Sequence, residues 1–465
     1  MKRSSAWVAQ AVGGQLHGPD RPVTASVETD SRACTPGSVY VARRGDQADG
    51  HDYAPAAIAA GAVCLVVERL LDLDVAQVLV TDSTQALGQL ARSYLAELRA
   101  AGPISVVGIT GSAGKTTTKD LLGQLLSSQA PTVYPVASFN NEVGCPLTVL
   151  RADEETRYLV LEMGASGRGH LTYLTSLAPL DVAVELMVGQ AHLGGFGSVE
   201  QLAASKEELV EGLVEDGIAV LNADDPRVAA MAGAAPGRVL RFSRLGQSAD
   251  LWAEAVALDE LGHPSFQLCT SDQRQPVSLQ LVGIHQVSNA LAAAGAALAV
   301  GLDLPTIARE LSGAGALSAH RMDVRLDRQW RGQDLLTVID DAYNANPDSM
   351  TSGLITARLI AGSHRLVAVL GEMLELGPES AALHRQVGSR ADVDVLIGVG
   401  EGSRDLLESS PAAVKHWVSD ANEALDVLAT TIASGDTVFL KGSYGSGVWR
   451  VADDLLAADT MEAQP

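Results

Sequence analysis

Gly108-Ile109-Thr110-Gly111-Ser112-Ala113-Gly114-Lys115-Thr116-Thr117-Thr118 closes an apolar run, residues 104–110, and opens an amphipathic stretch, residues 119–126. An extended apolar segment that turns through two glycines into a helix is the opening of a parallel α/β unit, and it sets the fold expected of the chain around it. It also sets a chemistry. Gly111 and Gly114 let backbone N–H groups approach phosphate oxygens, the helix N-terminus adds a favourable dipole, Lys115 reaches terminal phosphates and the Thr116 hydroxyl can ligate Mg²⁺. The strict G-x-x-x-x-G-K-[ST] spacing is not met, because Ile109 stands where the first glycine would be; the shorter T-G-x-x-G-K-[ST] form is present instead. A Gly-rich turn with a solvated lysine is the plainer reading, but the strand before and the helix after favour a phosphate loop. Thr110, Gly111, Ser112, Ala113, Gly114, Lys115, Thr116 and Thr117 are therefore expected to hold a nucleoside triphosphate.

Outward from that loop, apolar runs keep alternating with helical stretches. Residues 158–163, 181–188 and 218–222 read as further strands of one parallel sheet. A second alternation begins after about Leu317, with strands at residues 335–340, 366–370, 393–399 and 437–440, and reads as a separate doubly wound unit. Before Gly102-Pro103 lie shorter strands at residues 38–41 and 62–67 and a helical pattern over residues 84–100, a small α/β unit. The expected architecture is α/β with three domains: 1–102 N-terminal, 103–317 central and phosphate-loop-bearing, 318–465 C-terminal and Rossmann-like. Nearly every apolar run ends in a polar or Gly-rich cluster, among them Glu162-Met163-Gly164, Asn222-Ala223-Asp224-Asp225, Asp340-Asp341 and Lys441-Gly442-Ser443. Ligands of open α/β sheets bind beyond the carboxyl ends of the strands, so these clusters are expected to line one inter-domain cleft.

Composition narrows the function classes. Of the 465 residues 47% are hydrophobic and only 4% aromatic, a globular balance built on Ala, Val, Leu and Gly. A formal net charge of -23 argues against a broad nucleic-acid or anionic-membrane surface and for focused anion sites. Cys34, Cys64, Cys145 and Cys269 form no CxxC pair, so neither a zinc ribbon nor a disulfide framework is expected. The first residues lack an apolar signal core and no run is long enough to span a bilayer, so a cytoplasmic protein is expected.

Several further residues are candidates on their chemistry. Glu162, at a strand end, can add an oxygen ligand to a magnesium held by Thr116, and His192 can serve a second ion. Asn140-Asn141-Glu142-Val143-Gly144-Cys145-Pro146 reads locally as turn chemistry. His285 and Asn289 lie four apart on one face of a helix start. Arg321 follows a small-residue linker, from which a guanidinium can fold onto a γ-phosphate on domain closure. Lys206, followed by Glu207 and Glu208 on a helical stretch, reads on local sequence as part of a solvated face.

These elements, in this order, resemble the Mur ligase superfamily over nearly the whole chain. Within it, Asp340-Asp341-Ala342-Tyr343-Asn344-Ala345-Asn346-Pro347-Asp348-Ser349-Met350 is similar to the signature of the branch that joins D-alanyl-D-alanine to a UDP-N-acetylmuramoyl tripeptide. Supporting pieces are Gly371-Glu372-Met373-Leu374-Glu375-Leu376-Gly377 followed by His384, and Thr29-Asp30-Ser31-Arg32. Gln286, Glu372 and Tyr444 stand where Asn, Asp and Arg are commoner. The resemblance implies that the first domain holds the UDP end through Ser31 and Arg32, that the second binds ATP, and that the third receives the dipeptide at Asn344 and Asn346. It further implies Asp341 at the ATP ribose, Asn289 near the adenine and Arg321 at the γ-phosphate; Asn141 is counted with the nucleotide contacts. Catalysis is assigned to Lys115, Lys206, His192 and Arg321, and metal binding to Thr116, Glu162, His192 and Lys206.

The implied reaction uses ATP, two Mg²⁺ ions and a carbamylated Lys206, whose anionic oxygens would join the metal ligands. The tripeptide carboxylate attacks the γ-phosphoryl group to give an acyl phosphate, and the dipeptide amine displaces phosphate. The expected partners are these small molecules alone, with no nucleic acid and no membrane span, and the expected state is a monomer. A catalytically silent UDP-sugar-binding scaffold is argued against by the intact Lys115-Thr116, Glu162 and His192, and two further rivals remain open at this point. One is another ligase of the superfamily that adds a diamino acid or glutamate, against which the Tyr343-Asn344-Ala345-Asn346-Pro347 run argues. The other is a phosphate-loop ATPase switch, which would turn over nucleotide without an amine.

Overall fold

The computed structural model describes residues 1–45, 48–135, 138–189, 196–246 and 248–457. The strands group into three main sheets that follow one another along the chain, with a two-stranded antiparallel pair, Arg3–Ser4 with Pro22–Val23, beside the first.

The N-terminal sheet has five strands in the order Gln15–His17, Ala76–Leu79, Cys64–Val67, Val39–Val41, Val27–Glu28, parallel except for the first pair. The strand Val39–Val41 is buried at every position, as strands covered on both faces must be. The long helix Ser83–Ala101 comes next, started by Asp82, whose carboxylate accepts the N–H groups of Thr84 and Gln85.

Within the nine-stranded sheet, two strands in from one edge, lies Ser105–Thr110, the strand that feeds the Gly-rich loop. Tyr158–Glu162 pairs with it on one side and Leu180–Glu185 on the other, both in parallel. The parallel series continues through Leu213–Asn222, Arg238–Ser243 and Leu251–Leu258. It ends in an antiparallel extension, Pro264–Cys269 and Arg274–Ser278, that sequence periodicity did not anticipate. Leu251–Leu258 is buried at its start and mixed thereafter, so it lacks the continuous apolar run that marks the inner strands. The helix Lys115–Ser127 packs with the Ala-rich helix Gln286–Ala299, whose small side chains permit the approach.

The C-terminal sheet has six strands, in the order Asp323–Trp330, Gln333–Asp340, Thr437–Lys441, Leu366–Gly371, Val395–Val399, Val414–Val418. Only the first pair is antiparallel. The four cysteines are free and buried. No helix among the described residues is long and apolar enough to cross a membrane.

Candidate active site

The Gly-rich loop leaves Ser105–Thr110 at the carboxyl edge of the central sheet and enters Lys115–Ser127 with no side chain capping its first turn. Uncapped N–H groups at a helix start are free to bind an anion. Gly114 has φ +86°, a conformation that other residues rarely adopt, and a Cβ there would lie 2.4 Å from Asn289 Oδ1. A Cβ at Gly111 would lie 2.7 Å from that of Leu186. Both glycines are thus required by close approach as well as by the turn.

A cavity of about 420 Å³ opens over this loop, and the C-terminal domain supplies its opposite wall. Ser112, Ala113, Gly114, Lys115, Thr116 and Thr117 line one side. Arg321, Asp341, Tyr343, Asn344 and Asn346 line the other, and Glu162 and Asn289 also reach it. Hydrogen bonds join the two sides: Arg321 Nη2 donates to Thr116 Oγ1 at 3.3 Å, Asn346 Nδ2 donates to the Ser112 carbonyl at 3.4 Å, and His285 Nδ1 lies 3.0 Å from Ser352 Oγ.

Each functional group is held by its neighbours. Lys115 Nζ donates to the Gly111 carbonyl at 2.6 Å, and burial lowers the affinity of its amine for the proton. An anionic phosphate beside it would restore the charge. The Arg321 guanidinium lies 4.2 Å from the centre of the Tyr343 ring, a cation–π contact. Its two chain neighbours, His320 and Met322, have φ of +57° and +52°. The turn carrying Arg321 is pinned where His320 Nδ1 meets Asp340 Oδ2 at 2.7 Å. Asn346 caps the helix Pro347–Ala361, its Oδ1 accepting the Ser349 N–H at 2.9 Å. Asp341 is engaged by the buried Lys441, whose Nζ donates to Asp341 Oδ2 at 2.6 Å and to the Asn344 carbonyl at 2.9 Å.

A second cleft, of about 640 Å³, lies beside the first, and Lys115 and Asn140 line both. Lys206 is in it, only 3% exposed, so the solvated-face reading of its local sequence gives way to burial. Burial, followed by the Lys115 charge, brings its pKa down to about 7. Glu185, at the end of the strand beside the loop, is fully buried, and its carboxylate oxygens have no hydrogen-bond partner among the described residues. Burial pushes its pKa up to about 8, against the attraction of Lys206 and Lys115.

Magnesium fits the chemistry of the site. Asn140 Nδ2 donates to Glu162 Oε1 at 2.9 Å, while the buried Glu162 Oε2 lacks a partner among the described residues. Among those residues no three His, Cys, Asp or Glu side chains cluster as a metal cage. An ion here would draw on Thr116, Glu162 and phosphate oxygens, as magnesium at nucleotide sites commonly does.

The structure does not bring every expected residue to one place. Asn141 lines the second cleft instead of the nucleotide cavity, its Oδ1 accepting the N–H groups of Val143 and Gly144. Ser31 and Arg32 lie in the N-terminal domain and line neither cavity; Arg32 is exposed and paired with Asp30 at 2.7 Å. His192 lies outside the described residues. Sequence reasoning missed Tyr343 as a support for Arg321, Lys441 as the partner of Asp341, and Glu185. The one available signal for Glu185 was an acid inside an otherwise apolar run.

Comparison with known proteins places this geometry. The Mur ligase middle domain matches residues 109–297, the Mur ligase glutamate ligase domain residues 320–444, and the Mur ligase catalytic domain family residues 24–95. The chain belongs to the Mur ligase family. Within it, the chain is similar to the UDP-N-acetylmuramoyl-tripeptide–D-alanyl-D-alanine ligase of Mycobacterium tuberculosis H37Rv, at 42% identity with 98% of each chain covered. Among solved structures it superposes on MurF from Acinetobacter baumannii with a TM-score of 0.86 at 30% identity, covering 98% of this chain and 99% of that one. MurF ligase from Thermotoga maritima in complex with ADP gives 0.79 at 29% identity, with 93% and 97% covered.

Proposed function

We propose that this chain joins D-alanyl-D-alanine to a UDP-N-acetylmuramoyl tripeptide, a cytoplasmic step in making the peptidoglycan precursor. It is an ATP-dependent amide-forming ligase. The observation that carries the reading is the closure of the Asp340-to-Met350 signature over the phosphate loop through the Asn346 to Ser112 hydrogen bond, with Arg321 reaching Thr116 from the same domain.

In this reading the loop N–H groups and the start of the adjoining helix hold the ATP phosphates, and Lys115 leaves the Gly111 carbonyl for a phosphate oxygen. Arg321, presented from the C-terminal side, neutralises the charge that develops on the γ-phosphoryl group as the tripeptide carboxylate attacks it. ADP leaves with the electron pair of the broken P–O bond; the dipeptide amine then attacks the acyl phosphate carbonyl, the C–N bond forms, the nitrogen gives up a proton and phosphate leaves with the C–O electron pair. Asp341, steadied by Lys441, is placed for the ribose, and Asn289 for the nucleotide base side of the loop. Magnesium held by Thr116 and Glu162, with His192, would supply further neutralisation of phosphate charge.

A carbamate on Lys206 would add an anionic oxygen donor to that metal site. Support comes from the burial of Lys206, which leaves a neutral, nucleophilic amine near neutral pH. Residues 1–102 would hold the UDP-sugar at Ser31 and Arg32, 103–317 the ATP, and 318–465 the dipeptide at Asn344 and Asn346. The enzyme is proposed to act as a monomer on small molecules only.

The test is phosphate release with UDP-muramoyl tripeptides ending in lysine or diaminopimelate, each with and without D-alanyl-D-alanine. Release that needs tripeptide and dipeptide together is expected. Release with a free diamino acid as the better acceptor, or with no amine at all, would replace this reading with one of its rivals.

A further inference from the structure

The helix that begins at the phosphate loop, Lys115–Ser127, carries Thr116, Asp120 and Gln124 four residues apart. That spacing sets them one above another on a single face. The segment that joins the central and C-terminal domains runs along this face in the opposite direction and meets it at every third residue. Gln124 pairs with the backbone of Gly315, its Nε2 donating to the carbonyl at 3.0 Å and its Oε1 accepting the N–H at 3.2 Å. Ser318 Oγ donates to Asp120 Oδ2 at 2.7 Å, and Arg321 Nη2 reaches Thr116 Oγ1 at 3.3 Å. Between these rungs Ala316, Leu317 and Ala319 are exposed.

The middle rung is anchored in the central domain. Asp120 is buried, and the fully buried Lys119 donates to its Oδ1 and, at 2.7 Å, to the Pro135 carbonyl. Ser318 therefore meets a fixed, charged acceptor. Thr117, Asp120, Ser318 and Arg321 border a void of about 10 Å³, room for no more than a water. Beyond Ser318 the backbone enters the left-handed region at His320 and again at Met322, a conformation that persists only where its surroundings over-determine it. Asp120, Gln124, Gly315 and Ser318 line no part of the nucleotide cavity, so a bound triphosphate leaves their two rungs in place.

An arginine supplied from another domain stabilises a transition state only if it is held within about 0.5 Å of the productive position. We propose that Gln124 and Ser318 are positioning residues for Arg321: by seating the inter-domain segment on the helix that holds the phosphates, they set the guanidinium at the γ-phosphoryl group when the C-terminal domain docks. The proposal rests on the ligase reading, in which Arg321 acts on that group.

The experiment is a double-mutant cycle on steady-state phosphate release, with Ser318→Ala and Gln124→Ala each made in the wild type and in Arg321→Ala. In the wild-type background each is expected to lower kcat about 10- to 100-fold with the ATP KM unchanged, because the interaction lost is one made in the transition state. In the Arg321→Ala background neither should cost more than about twofold. Ser318→Thr keeps the hydroxyl and should retain most of the wild-type rate. Urea unfolding checks that each variant is folded, and should one alanine variant fail to fold, the other rung carries the test. Equal losses in both backgrounds, an unchanged kcat in the wild-type background, or a rise in the ATP KM in place of the fall in kcat would each overturn the proposal. Phosphate release that does not need D-alanyl-D-alanine overturns the ligase reading instead, and the coupling to Arg321 measured on that release still decides the proposal.

Discussion

The two cavities that share Lys115 are built in different ways. Two contiguous segments, 112–117 and 341–349, supply much of the nucleotide cavity, each a turn whose glycine, asparagines or proline have local reasons to be there, and single residues such as Glu162, Asn289 and Arg321 complete it. The cleft beside it draws single residues from scattered elements: Asn140 before one helix, His170 at the start of another, Lys206 in a third and Glu375 in a loop of the C-terminal domain. A triphosphate is recognised by repeated backbone N–H groups, which a short loop can supply. Two small substrates need separated side chains, and those only folding can bring together. Motif-built and fold-built sites therefore share Lys115 and Asn140.

Substituting the shared lysine disables both sites at once, and that is the largest effect expected. Lys115→Ala should lower kcat/KM by about a thousandfold or more with unchanged thermal unfolding, since among the described residues its Nζ bonds only the Gly111 carbonyl. A folded variant with wild-type turnover would break the comparison at its centre.

Next comes Lys206, which tests the cleft alone. Lys206→Ala is expected to cost about a hundredfold in kcat, with partial recovery on adding acetate. Lys206→Arg keeps a cation but cannot form a carbamate, and it should stay inactive. Carbon-13 bicarbonate should give a carbamate resonance in the wild type and none in either variant, a readout independent of turnover. Full activity of Lys206→Arg without additives would end the carbamate reading.

Asn346 tests the nucleotide wall with a smaller effect. Asn346→Ala removes a helix cap, worth about 1 kcal/mol in chemical denaturation, and the bond to Ser112. It should raise the dipeptide KM more than the ATP KM. Asn346→Asp keeps the cap and loses only the donor, so it should show the kinetic change without the stability loss.

The smallest effect is a pH dependence. Burial lowers the His285 pKa from 6.5 to about 4, and the ring accepts or donates one hydrogen bond at 3.0 Å with Ser352. Between those values the unfolded chain holds a proton that the folded chain does not. This contribution to stability is complete above 6.5 and is lost as the pH falls toward 4. His285→Gln should flatten that part of the urea-midpoint profile, and a parallel slope in both proteins would show that other groups dominate it.

The strands flanking the loop, expected at residues 158–163 and 181–188, occur as Tyr158–Glu162 and Leu180–Glu185. They were legible because strands buried on both faces leave an apolar run that no outside partner need explain. The antiparallel strands Pro264–Cys269 and Arg274–Ser278 were not, because their exposed positions break the run and their pairing depends on a neighbour. Lys206 shows the same limit at a single residue. Its two glutamate neighbours suggest solvent, and nothing within a helical turn announces that the fold covers it.

By itself, then, the amino-acid sequence determined the Gly-rich loop, the alternation into three sheets, and the turn at Asp340 to Met350, because backbone conformation and apolar periodicity act over a few residues. The tertiary structure alone decided what faces what. Arg321 reaches Thr116 across 205 positions, Asn346 reaches Ser112 across 234, and Lys441 reaches Asp341 across 100. Glu185 and Lys206 acquire their shifted affinities for protons only from the burial and the charges that folding places around them. Desolvation and Coulomb attraction depend on distance in space, and separation along the chain does not encode it.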